Sequence, residues 1–505
     1  MSVAPEPTSS PATEASIRNL LEWLALAHEH NGSEDADALY RQLLQLRDTP
    51  LPIAQRIKLL DLLYTHVERI VRAELPGFQK VSLPVSRKVR QRVRLVVDLL
   101  ETLTQDYFNS LAELFDPAGG NSLRSPHTSL LRAMQGIAWQ IRIDHLVASP
   151  SSIGLWQQLH AAFRTARRLG LEDLPGPRGG PGVQRAYTDI LLAAIAQPAS
   201  FSAGELEFIS DYIEALPLRI EFAETPPSEA SAVFWIDLDR DFPAHALIRR
   251  IPAAESQPLY FACDAVAAEA RRHHAELGRG NSAAALGLPP FADTRAGRGV
   301  LLRLANLWGK PAKRRFPRRR QSYRTTLCLG LDNLWQLMRR RGDTAPLLSE
   351  WMVTNESPDG YALMHVSGNT DDLRVGDVVA LQAIDEQGDS KAPWHICLIR
   401  WALSENPEHV ELGLQLLAPH AIAAEIAQPY ELAPTHSPAL ILPQMPPLRP
   451  LEALLVAAGK LRNKRERLVL LIEGDNLLVR EVRLEHLDEQ TSSIELFSVS
   501  PDDSA

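Results

Sequence analysis

The hydrophobic period of this chain changes along its length, and that change dictates which layers it can build. From about Ile17 to Ile213 apolar residues recur at three- and four-residue spacing, as in IRNLLEWLALAHEH, AQRIKLLDLLYTHVERIVRAEL and SRKVRQRVRLVVDLLETLTQDYFNSLAELF. That spacing predicts amphipathic helices. Breaks such as DPAGGNSLRSP and LPGPRGGPG separate them. The second break lacks the Gly-Lys-Ser/Thr ending of a phosphate-binding loop and reads as a linker. From Ser322 onward the period is two, in strand-sized runs bounded by turn residues: YRTTLCLGL, EWMVTN, GYALMHV, VGDVVALQAI, WHICLIRWAL and HVELGLQLLAP. Short strands at this density predict a small antiparallel barrel.

The expected fold class is therefore multidomain α+β. Residues 1–16 read as a disordered leader and residues 17–215 as a helical array. That array is similar to tetratricopeptide-type repeats or a plain bundle, with no consensus at a fixed period. Helical arrays commonly present a surface to protein partners. Residues 216–309 mix short strands (SAVFWIDLD) with helices and read as a separate α/β region. His273 and His274 are adjacent on one of these helices, face different directions, and read as a solvated pair. A six- or seven-stranded barrel is expected over 310–425, a Pro-rich spacer over 426–449 and a small C-terminal β unit over 450–500, with a hairpin turn at EGDN.

At 505 residues the chain has room for three or four domains. No apolar run reaches the roughly 20 residues that span a bilayer. The N-terminal stretch lacks the basic start and apolar core of a secretion signal. Cys263, Cys328 and Cys397 lie far apart, without metal or redox spacing, and the last two sit in apolar strand-like runs. A reducing cytoplasm fits. There is no nucleophile elbow, zincin motif or Walker loop, so the expectation is a non-enzyme without metal or cofactor. The formal net charge of −9 argues against a general nucleic-acid coat protein.

Against that charge, eight Lys or Arg fall between Lys310 and Arg324, in and around KRRFPRRRQSYR. This segment leads into the first barrel strand, and NESPDGYAL follows at the second. Within them, RQSYR supplies Arg320 and Arg324 with Arg319 alongside, and NESPDG supplies Asn355, Ser357 and Gly360. The order R-x-x-x-R, then N-x-S-x-x-G, on barrel strands, resembles the PilZ domain, a bacterial receptor module for cyclic di-GMP. LRVGDVVAL, WHICLIRW and HVELGLQLL resemble its later strands, so the resemblance covers about a fifth of the chain, residues 313 to 420. Thirty residues separate Arg324 from Asn355, a longer interval than the pattern needs. DNLWQLMRRRGD within it has helical character and carries Arg339, Arg340 and Arg341, which could cover the site or add phosphate contacts.

The resemblance implies that Arg320 and Arg324 hold phosphate and guanine, and that Asn355 and Ser357 bind guanine. The residue types suit that work. Guanidinium groups grip phosphate or the guanine O6/N7 edge bidentately and stack on bases. Asn offers donor and acceptor together, Ser adds a hydroxyl, and Gly permits close backbone approach. Trp351, Trp394 and Trp401 read as barrel packing. The implied protein is a cytoplasmic cyclic di-GMP effector coupled to a protein partner, with motility, pili, biofilm or virulence as outputs. Two alternatives are a helical scaffold with a vestigial barrel, and a nucleic-acid binder using the Arg run and KLRNKRER.

Overall fold

The computed structural model describes residues 11–26, 33–114, 126–217, 219–311, 316–339, 346–370, 373–384, 392–406, 409–427, 437–447, 449–461, 467–473 and 477–501. It divides into two compact units: residues 1–81, 86–195 and 217–262 form one, and residues 82–85, 196–216 and 263–505 the other.

The first unit is helical: α1 (Pro11–Leu26), α2 (Ser33–Asp48), α3 (Ile53–Phe78), α4 (Arg87–Leu114), α5 (Pro126–Leu146), α6 (Leu155–Arg168) and α7 (Val183–Ile195). In α3 the buried set Ile53, Ile57, Leu60, Leu63, Val67 and Val71 follows the helical spacing of the sequence. Its neighbour α4 buries Tyr107, whose hydroxyl donates to Asp61 Oδ1 at 2.9 Å. Helix α1 begins at Pro11, inside the stretch expected to be a disordered leader. Proline suits a first helical turn, and Glu14 complements the helix dipole there. Residues 1–10 of that leader lie outside the described residues.

The 216–309 region does not form a domain of its own. Its short antiparallel sheet, β1 (Val233–Ile236), β2 (His245–Ala246) and β3 (Leu259–Ala262) in the order β2-β1-β3, belongs with the helical unit. Aromatic packing explains this: Phe222 lies against Phe163, Tyr187 and Phe261. Conversely α8 (Ala203–Ala215) joins α9 (Asp264–Gly278) and α10 (Arg295–Gly309) in the second unit. There Tyr212 stacks on the buried Trp308 and hydrogen-bonds His273 Nδ1 at 2.9 Å, while Phe208 meets Phe291. His273 is thus buried, 4% exposed, and not solvated, because its ring is taken up by Tyr212 and faces Glu269. His274 is partly exposed and meets the Arg298 carbonyl.

The second unit continues into two closed six-stranded antiparallel barrels. The first holds β4 (Arg319–Leu329), β5 (Leu348–Ser357), β6 (Gly360–Ser367), β7 (Val378–Ala383), β8 (His395–Asn406) and β9 (His409–Ala418), closed in the order β4-β5-β6-β9-β8-β7. Between β4 and β5 lies α11 (Leu331–Met338), the helix foreseen in DNLWQLM. The second barrel holds β10 (Ile422–Ala427), β11 (Ser437–Leu442), β12 (Glu452–Ala457), β13 (Arg467–Glu473), β14 (Leu477–Gln490) and β15 (Ile494–Pro501), in the order β10-β11-β12-β15-β14-β13.

Strand β11 therefore runs through the stretch expected to be a Pro-rich spacer. The C-terminal β unit is a whole barrel that starts at Ile422, where 450 was expected. The physical reason is burial on both faces. Ala439 and Ile441 line the interior of the second barrel, while Leu440 and Leu442 enter a core shared with Ile396, Leu398 and Leu417 of the first. In β12, Leu454 and Val456 point one way and Ala453 and Leu455 the other. Strands covered on both sides read as continuous apolar runs, without the alternation that marks a half-buried strand. Most of KLRNKRER and of the EGDN turn lies outside the described residues, although Glu473 pairs with Leu477 across that turn. Among the described residues, no helix is long and apolar enough to cross a membrane.

Candidate functional site

Register places the sequence-predicted residues. Side chains directly opposite one another in paired strands share a face, and alternate residues swap faces. Arg320 pairs with Asn355 and Arg324 with Met352, four residues on β4 against three on β5, so β4 carries a bulge between them. Strand β5 has its own bulge against β6, since Val353 pairs with Leu363 and Asn355 with Ala362. Each bulge adds one residue to its strand and shifts the alternation. The two cancel. Along β6 the rows read Ser357–Gly360, then Arg320–Asn355–Ala362, then Arg324–Met352–Met364. Gly360, Ala362 and Met364 alternate along one strand, so five of the six candidates, Arg320, Arg324, Asn355, Ser357 and Gly360, share one face.

The intervening rows turn the other way: Tyr323–Val353–Leu363 and Thr325–Trp351–His365. Val353, Leu363 and Trp351 are wholly buried there, so that face is the barrel interior and the candidate face is its exterior. Arg319 pairs with Glu356, in an interior-side row at the barrel rim. It is exposed all the same, and is set apart from the five that share the outer surface.

The candidates differ in how committed they are. Arg319 and Arg320 are exposed and have no ion pair among the described residues. Arg324 Nη1 donates to Glu350 Oε1 at 2.8 Å. Ser357 Oγ donates to Asp359 Oδ1 at 2.7 Å, which closes the tight turn from Ser357 to Gly360. A Cβ on Gly360 would sit 2.0 Å from the Leu414 carbonyl oxygen, so strand β9 itself requires glycine there. Residues 312–315, the front of the basic run, lie outside the described residues, as do Arg340 and Arg341.

Sequence reading missed three groups. The first is Glu350, which the β4–β5 pairing brings diagonally beside Arg324. The second is two polar pairs at the rim, where Tyr323 OH donates to Glu356 Oε2 at 3.2 Å and Tyr361 OH meets His395 Nδ1 at 2.8 Å. Burial, reinforced by Glu356, pushes the Tyr323 hydroxyl well above the usual tyrosine range, and burial pushes His395 down. The third is the outward row beyond Ala362, where Gly413 pairs with Trp401. A Cβ there would collide with the Trp401 indole, so the ring lies over the glycine. Trp351 is core, its indole N–H donating to Ser349 Oγ at 2.8 Å.

Helix α11 itself lies away from this face. Strand β4 runs from Arg319 at one end of the barrel to Leu329 at the other, and α11 follows from that far end. It packs toward the second barrel: Trp335 Nε1 donates to the Ala424 carbonyl at 2.9 Å. Arg339 stacks on Trp335 at 4.2 Å and pairs with Glu473 and Glu425. Among the described residues, no group of three or more His, Cys, Asp or Glu is placed to hold a metal ion.

The family models for cyclic-di-GMP receptor FimW match two stretches of this chain. Residues 18–227 match the family model described as cyclic-di-GMP receptor FimW, N-terminal domain, and residues 336–422 the model of its middle PilZ domain. The second match contains Asn355, Ser357 and Gly360 and begins after β4, so the arginines precede it. The cyclic-di-GMP receptor FimW of Pseudomonas aeruginosa is 21% identical over an alignment of 535 positions, covering 87% of this chain and 84% of that protein. The structure of Bacillus subtilis inhibitor of motility (MotI/DgrA) aligns at 13% identity over 35% of this chain and 87% of that one, with a TM-score of 0.12. The two FimW models together span more than half of the sequence, and the chain belongs to the PilZ-containing cyclic-di-GMP receptor family that they describe.

Proposed function

We propose that the protein is a cytoplasmic effector that binds cyclic di-GMP on the outer face of its first barrel and passes that event to a protein partner through its helical N-terminal region. The observation that carries the reading is the shared face of Arg320, Arg324, Asn355 and Ser357, produced by two compensating bulges. Two guanidinium groups suit the paired phosphates and the guanine O6/N7 edge of a cyclic dinucleotide, and an amide with a hydroxyl suits a purine edge. The charge of the basic lead-in supplies attraction for an anionic ligand. The relative's name, a cyclic-di-GMP receptor, points the same way. The helical region is matched by a family model of its own, which supports a dedicated output surface there.

Titration calorimetry tests this on the full chain. The wild type is expected to bind cyclic di-GMP at fixed stoichiometry and to discriminate against GTP and linear dinucleotides. Arg320→Ala is expected to weaken binding by about tenfold or more, the scale of a lost charge-assisted contact. No heat from the wild type at tens of micromolar ligand would overturn the proposal in favour of a scaffold with a vestigial barrel. A steep salt dependence with any polynucleotide would point instead to the nucleic-acid reading.

A further inference from the structure

Arg324 is on the ligand face but is already occupied. Its guanidinium is bound by Glu350 Oε1 at 2.8 Å, and Glu350 Oε2 accepts from Ser367 Oγ at 3.2 Å. The register shows where this arrangement lies. Glu350 pairs with Thr326 on β4 and with Ser367 on β6, on the far side of the Arg324–Met352 row from Asn355. The contact therefore draws the Arg324 guanidinium along the barrel, away from the row that holds Arg320 and Asn355. Arg320, in contrast, has no ion pair among the described residues. The two arginines of the R-x-x-x-R spacing are thus in different states, one uncommitted and one held by a carboxylate.

We propose that Glu350 is an affinity-setting residue of the ligand face, holding Arg324 in reserve until a ligand phosphate displaces it. The proposal rests on the reading of this face as a cyclic di-GMP site and goes beyond it by assigning the exchange to one carboxylate. Glu350 competes with the incoming phosphate for the same donors on Arg324. The exchange is feasible because the pair is partly solvated: the Arg324 side chain is 60% exposed and that of Glu350 30%. Exposed pairs of this kind are weak, so a doubly charged ligand can break the contact while a singly charged anion gains little.

The test is calorimetric titration of the full-length protein with cyclic di-GMP, for wild type, Glu350→Gln, Arg324→Ala and the double variant. Glutamine keeps an acceptor for Ser367 and removes the charge, and thermal melts monitor the fold of each variant. Glu350→Gln is expected to bind about two- to fivefold more tightly than wild type, and that gain is expected to vanish in the Arg324→Ala background. If the wild type binds through Arg320 but Glu350→Gln binds equally or more weakly, this inference is overturned and the receptor reading stands. A gain that persists without Arg324 overturns it too, since Glu350 would then act by repulsion alone. If neither wild type nor Glu350→Gln binds, the receptor reading falls, and this inference with it.

Discussion

Single residues show how the same chemistry can be legible or hidden. Asn355, Ser357 and Gly360 were visible because their order and spacing are local. Gly360, however, is required by the Leu414 carbonyl of β9, and the ligand needs no part in that requirement. Glu350 was invisible because its role depends on a neighbour across the sheet. Burial is equally hidden in a string of letters, as Asp144 on α5 shows. It is 7% exposed, its Oδ2 has no hydrogen-bond partner, and burial pushes its carboxyl up to about 7. Between the ordinary aspartate range, about 3.9, and that value the folded state holds a proton the unfolded state has lost. Stability contributed by the neutral form is accordingly lost as pH rises through about 7. Asp144→Asn is expected to gain about 2 kcal/mol over wild type at pH 8 and almost nothing at pH 4. Urea melts at the two pH values check this, and an equal gain at both would refute it.

At the scale of elements, α11 is the informative case. Its helical character was readable in DNLWQLM, with Leu331 and Leu334 on the buried side. Its location was not: α11 packs toward the second barrel, while residues 340–345 of the insertion lie outside the described residues. Arg339 was read as a possible phosphate contact, whereas it stacks on Trp335 and answers Glu473 and Glu425 of the second barrel. Trp335 anchors the helix through its indole N–H and its packing against the shared core. Trp335→Ala is expected to cost about 3 kcal/mol. Trp335→Phe, which keeps most of the apolar surface, is expected to cost about 1 kcal/mol. Denaturant unfolding measures both, and a phenylalanine as costly as the alanine would mean that the hydrogen bond dominates.

For the molecule as a whole, the two barrels of the second unit share one core, into which Cys328, Leu334 and Ile396 of the first barrel region and Leu440, Leu455 and Ile494 of the second all pack. Ile494→Ala is expected to cost about 2–4 kcal/mol. Because its neighbours come from both barrels, amide exchange is expected to accelerate together in strands of each. Acceleration confined to β10–β15 would show that the barrels unfold independently. The sequence by itself determined the helical first half, the first barrel and its R-x-x-x-R and N-x-S-x-x-G motif, since periodicity and motif spacing are properties of neighbouring residues. Only the tertiary structure decided that the expected spacer is a barrel strand, that 216–309 divides between two units, and that Arg324 is held by Glu350. Those facts depend on which surfaces meet and on how strands pair, and neither leaves a periodic trace in the chain.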